Sequence, residues 1–157
     1  LHLFAREGNT DIGELLIKAG ANPNLKTAGS GYTALHIAAQ RGHNRFIELL
    51  INAGADIDTV SGEMSVTPLH GATLFGKAET VRLLLYAGAD VNKADKSGRT
   101  ALHRAVDTGD AQKVQLLIKA GADVNKTGRN EETPLYWAKK YNNKEIERLL
   151  KQAGARD

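Results

Sequence analysis

Cysteine is absent from this chain of 157 residues, and tryptophan and methionine occur once each. Without a thiol there is no disulfide framework, no thiolate nucleophile and no cysteine-based metal site, and a reducing compartment is favoured. Long apolar runs are missing too. The longest, such as Leu83-Leu84-Leu85, falls far short of the roughly 20 residues that span a bilayer, which argues against a membrane segment. Nor is there a block of like charge. The net charge of +3 is a small surplus spread along the chain, whereas a nucleic-acid surface needs a concentrated basic stripe. The common catalytic signatures are absent as well: no HExxH, no Gly-x-Ser-x-Gly, no phosphate loop and no zinc spacing, so no cofactor or small-molecule substrate is expected.

What the chain does contain is a repeat. TALH begins at Thr33, TPLH at Thr67, TALH at Thr100 and TPLY at Thr133, at intervals of 34, 33 and 33 residues. A second marker keeps the same interval: AGANPN from Ala19, AGADID from Ala53, AGADVN from Ala87 and Ala120, and AGARD from Ala153. Two separate motifs holding one period across the chain define the architecture before any local assignment is made. Within each unit the threonine is placed as a helix N-cap, with Pro68 and Pro134 at the first helical position, where a missing N–H costs nothing. Gly8, Gly42, Gly76, Gly109 and Asn142 then stop a short helix, being the residue types that enter the left-handed conformation most cheaply. A second helix follows, carrying the paired leucines Leu15-Leu16, Leu49-Leu50, Leu83-Leu84, Leu116-Leu117 and Leu149-Leu150.

The T-P/A-L-H and Gly-Ala-Asp-Val-Asn motifs resemble the ankyrin repeat over essentially the whole chain. The resemblance implies an all-α solenoid of about five units, at residues 1–30, 31–64, 65–97, 98–130 and 131–157, forming one domain. It also implies hairpin-like finger loops, and a concave face made by the first helices and the finger tips that binds a protein partner. Two departures stand out. The loops before Thr33 and Thr67 carry one residue more than those before Thr100 and Thr133, so irregular finger tips are expected there. Glu131 stands where Gly98 stands one period earlier, so the last finger is expected to be distorted or absent.

The ends differ. Lys139, Glu147 and Lys151 replace apolar or small residues of the other units, as a terminal repeat requires, so residues 133–157 are expected to be a C-terminal cap. The basic residues near this end are interleaved with Glu145, Glu147 and Asp157, as on a solvated face. Leu1 aligns with Leu35, two residues into the repeat, which suggests a further unit in front; Phe4, in an alanine column, is the alternative plug.

Histidine recurs inside the motif as His2, His36, His70 and His103, and by resemblance hydrogen-bonds the adjoining threonine and loop. Periodic residues are poor candidates for catalysis, since an active site is a singular constellation. Singular residues are better candidates for function. Leu74-Phe75 occupies a place filled elsewhere by Arg6-Glu7, Gln40-Arg41, Asp107-Thr108 and Lys140-Tyr141. Trp137 aligns with Leu3, Ile37, Gly71 and Arg104, and Met64, Val66, Tyr32 and Arg99 lie on or beside fingers. Aromatic, methionine and arginine side chains dominate interface hot spots, so Tyr32, Ile37, Met64, Val66, Leu74, Phe75, Arg99, Arg104, Trp137 and Tyr141 form the candidate partner-binding stripe. Against it stands the possibility that Phe75 folds into the hollow left by Gly71. The expected function is a non-enzymatic, cytoplasmic protein-interaction module, monomer favoured over homo-oligomer. The alternatives are the targeting fragment of a larger multidomain enzyme or bacterial-type effector, delivered to a host cytosol in the latter case, or a self-associating scaffold.

Overall fold

The computed structural model describes residues 1–156; Asp157, counted above among the acidic residues of the last segment, lies outside the described residues. Among these residues ten helices run in order: α1 (His2–Glu7), α2 (Thr10–Lys18), α3 (Ala34–Arg41), α4 (Asn44–Asn52), α5 (Pro68–Phe75), α6 (Ala78–Tyr86), α7 (Ala101–Thr108), α8 (Ala111–Lys119), α9 (Pro134–Lys140) and α10 (Lys144–Gln152). Among the described residues there is no strand. Each pair is one repeat, and the odd helices stack in a row, α1 on α3 and so on to α9.

The core is written by the repeat. Leu35, Leu69, Leu102 and Leu135 are buried, as are Leu50, Leu84, Leu117 and Leu150. Burying each such side chain contributes about 1.5–3 kcal/mol, and the column of Ala38, Ala72, Ala105 and Ala138 lets neighbouring first helices pack closely. One large residue is accommodated by a small one. A Cβ on Gly13 would lie 2.6 Å from the ring of Phe46, so the glycine makes room for the most voluminous buried side chain of the core. Phe4 is partly buried against the core.

Fingers follow the second helices. A backbone hydrogen bond closes each loop, Thr27 N–H to Tyr32 O and Ser61 N–H to Val66 O in the first two, Asp95 N–H to Arg99 O and Gly128 N–H to Glu132 O in the others. The extra residue of the first two loops is thus enclosed at the tip, where Gly31 and Ser65 take positive φ of 64° and 52°. Fingers pair with their neighbours through Gly62 N–H to Ser30 O and Lys96 N–H to Met64 O. The last finger is not lost. Glu131 takes the left-handed conformation of Gly98, φ 58° against 78°, and its N–H still bonds Gly128 O, so the backbone keeps its shape at a steric cost of roughly 1–2 kcal/mol.

One junction departs from the pattern. Gly42 and Gly109 end their helices with φ near 70°, at 71° and 68°, and donate their N–H to Ala39 O and Val106 O. Gly76 is extended instead, φ −80° and ψ 179°, and its N–H reaches Ala72 O. The expected left-handed stop is therefore wrong at Gly76, and the carbonyl of Thr73, equivalent to those of Ala39 and Val106, is left for another donor. The Lys113 ammonium on α8, a buried side chain, supplies it at 3.0 Å and pairs with Asp110 at 3.4 Å. A cation at a helix C-terminus also opposes the helix dipole. Gly76 remains necessary for space, because a Cβ there would lie 2.7 Å from Ala72 O and 2.9 Å from Ala39 O. Between α4 and α6 there is a groove of about 310 Å³ lined by Glu48, Leu83 and Tyr86.

Candidate functional site

The histidines are consumed by the scaffold. His36, His70 and His103 are buried, and their Nε2 atoms lie 2.8, 3.0 and 3.3 Å from the carbonyls of Val66, Arg99 and Glu132 in the next finger. A carbonyl only accepts, so Nε2 carries the proton and Nδ1 accepts from the N–H of Thr33, Thr67 and Thr100 at 3.2, 3.2 and 3.1 Å. Each ring ties a helix N-terminus to the following repeat. Burial pushes His36 and His103 down to about 4 and lowers His70 as well, with the hydrogen bond to the carbonyl opposing the shift in each case. Neutral, saturated imidazoles of this kind hold the structure together.

The acidic loop residues also connect repeats. Asp56, Asp90 and Asp123 accept from the N–H two residues on, at 3.1, 2.9 and 2.9 Å. Asn24, Asn92 and Asn125 then reach across, each accepting from a backbone N–H of the next unit and donating to the carbonyl of Gly54, Gly121 and Gly154. Asp58 holds that place in the second unit. It accepts from Asp90 N–H at 3.0 Å but has no amide to donate.

The candidate stripe falls into two groups. Tyr32, Ile37, Met64 and Val66 belong to the first two fingers and α3. Tyr32 is half-buried, stacked on the His36 ring at 5.2 Å, and the backbone of Val66 is engaged by Ser61 and His36, so both support the fingers. Ile37 is half-buried and packs against the core, whereas Met64 is 52% exposed.

The second group is on α5, α7, α9 and the third finger. Phe75 is 70% exposed and Leu74 half-buried. Phe75 does not fill the hollow at Gly71. A Cβ on Gly71 would lie 2.8 Å from Cγ of Gln40, whose side chain occupies that space. Two units along, Trp137 is the centre of a cluster. Tyr136 meets it edge-on at 5.5 Å and Tyr141 lies tilted to it by 30° at 5.4 Å, with the Arg99 guanidinium 5.2 Å and the Lys140 ammonium 4.6 Å from its ring centre. Arg99 is anchored to Asp107 at 2.6 Å and Arg104 to Asp95 at 2.5 Å.

The sequence reading missed Asp95, the buried carboxylate that holds this cluster to the finger. Its Oδ1 accepts from Ser97 N–H, the Ser97 hydroxyl and Arg99 N–H at 2.8, 2.6 and 3.0 Å, while Oδ2 takes Arg104. Burial disfavours its charge, but these donors prevail and hold the carboxyl below its ordinary range. A signal was available. Asp95 precedes Ser97 by two residues and Arg99 by four, the spacing of a turn capped by its own aspartate. Among the described residues, three buried side-chain donors have no acceptor: Nε of Arg99, Nε of Arg104 and Nε1 of Trp137.

A stacked array of helix pairs joined by fingers is a repeat scaffold, in which each unit contacts its neighbours. The family described as ankyrin repeats, in three copies, matches residues 1–95 and 69–156, so the chain belongs to the ankyrin repeat family, whose members are generally protein–protein interaction modules. No curated protein matches the chain.

Proposed function

We propose that this chain is a non-enzymatic module that presents the face formed by α5, α7, α9 and the adjoining fingers to a protein partner. The observation that carries the reading is Phe75, a phenylalanine left 70% exposed at a position where the equivalent residues of the other units are polar or amphipathic. A large apolar side chain held in water is offset by what it contributes on docking, about 1.5–3 kcal/mol when it is fully buried.

Pre-organisation is the mechanism. The histidine and asparagine ties fix the fingers against the helices before binding, and Asp107 and Asp95 fix Arg99 and Arg104, so little conformational entropy is lost on association. Trp137 and Phe75 are the anchors, with Leu74 and Tyr141 beside them. Immobilised chain is compared with a Phe75→Ala/Trp137→Ala variant of equal melting temperature for capture of proteins from the source cell. A partner retained by the first and lost by the second is expected, with Trp137→Ala alone costing about 2 kcal/mol or more. Equal retention by both would overturn the assignment of this face.

A further inference from the structure

We infer that the Trp137 cluster is a recognition site for a carboxylate-bearing segment of a protein partner, a short acidic stretch that also carries an apolar residue for Phe75. The inference rests on the proposed concave-face reading and adds the chemistry of the ligand. Its basis is cationic charge gathered in one place. Arg99 and Lys140 meet at the Trp137 ring, and Arg104 is joined to Arg99 through Asp95; Asp95 and Asp107 are each already committed to one guanidinium, which leaves Lys140 as the cation held there by rings alone. The Lys140 ammonium is held over Trp137 and Tyr136 by the rings, at 4.6 and 5.5 Å. Attraction between a cation and a ring face leaves its charge available to an incoming anion.

The same arrangement argues against the opposite ligand. A cationic or methylated lysine would seek the aromatic faces, but Arg99 and Lys140 already occupy the environment of Trp137 and would repel it. Phe75 adds register. It lies on α5, two helices from α9 in the stacked row, a separation of about 16–20 Å at ordinary helix spacings. An extended peptide covers that distance in about five or six residues. The segment therefore carries an apolar side chain and, roughly five residues away, its carboxylates.

Trp137 is the chain's single tryptophan, so its indole gives one side-chain signal in a proton–nitrogen correlation spectrum and the whole of the tryptophan fluorescence. The probe is a blocked octapeptide with leucine at one end and three consecutive glutamates at the other, compared with versions carrying lysine or phosphoserine in place of glutamate. The glutamate peptide is expected to move the indole signal saturably, with a dissociation constant on the order of 1 mM, weakened by added salt. The lysine peptide should leave it unmoved. Lys140→Gln and Phe75→Ala should each weaken binding at least threefold, and Tyr86→Ala, on the groove side of α6, should not. Equal or absent responses to the glutamate and lysine peptides would overturn the inference, as would unchanged binding by Lys140→Gln. Tighter binding of the phosphoserine peptide would replace the carboxylate by a phosphate ligand and overturn it equally. If the captured partner is lost with Phe75→Ala/Trp137→Ala while the glutamate peptide is silent, the concave face stands and the ligand chemistry alone fails.

Discussion

Replacing Lys113 by methionine tests the account of the irregular third unit, because the ammonium of Lys113 is what occupies the Thr73 carbonyl left by the extended Gly76. Methionine keeps most of the stem and its packing but cannot donate. The loss includes a hydrogen bond from a charged donor, about 1.5–3 kcal/mol, and a favourable helix-end charge of about 0.3–1 kcal/mol. Part is recovered, because an ammonium no longer has to be kept from water, which leaves a net cost of about 2 kcal/mol. For a chain of this size that corresponds to a fall in melting temperature of about 4–8 °C. Scanning calorimetry measures it, with Lys119→Met, exposed on the same helix, as the control expected to be neutral. If Lys113→Met melts within about 1 °C of the parent, then Lys113 is not the cap of α5 and the reasoning about Gly76 fails.

Three further outcomes follow from the repeat contacts. His36 and His103 ionise near 6.5 when unfolded and near 4 when folded, so the unfolded chain takes up protons first as pH falls; the stabilisation is present above pH 6.5 and is lost toward pH 4. Each contributes on the order of 3 kcal/mol. The urea midpoint should fall clearly from pH 6.5 to 5, less so in His36→Gln, and a flat profile would contradict it. Asp58→Asn should supply the amide donor that Asn24, Asn92 and Asn125 give to a glycine carbonyl, raising stability by about 0.5–1.5 kcal/mol by urea titration. Gly76→Ala should destabilise by about 1–3 kcal/mol because its Cβ meets two backbone oxygens, although φ −80° suits alanine; a neutral result in the same titration would show that the junction relaxes.

The solenoid was legible because two motifs repeat at one interval, and the same alignment located the exposed Phe75. Periodicity argued against catalysis for the histidines and the family resemblance implied their role, which the structure bears out: Thr-x-x-His recurs where the ring joins a helix start to the next finger. Legibility stopped where a residue's role is set by the adjoining unit. Gly76 and Gly42 are the same letter in the same place, and glycine permits both the extended and the left-handed link; the choice correlates with Lys113, 37 residues further on. Glu131 misled in the other direction. The finger's backbone bonds outweigh the strain of a left-handed glutamate, so a poor residue type did not remove the turn. The Gly71 hollow was visible as an absence of side chain, but Gln40 from the preceding unit fills it. The pairing of Arg99 with Asp107 and of Arg104 with Asp95 joins the third finger to α7 through residues that no other unit carries at the equivalent places, so comparison between repeats has nothing to compare.

The central claim is that the face bearing Phe75 and Trp137 is the one a partner covers. Hydrogen exchange of the free chain and of the chain bound to its captured partner measures this directly. Protection is expected in residues 71–76 and 134–141 and in the third finger, with α4 and α6 unchanged. Protection concentrated instead along α4 and α6, around Glu48, Arg82 and Tyr86, would place the partner in the opposite groove and contradict the account.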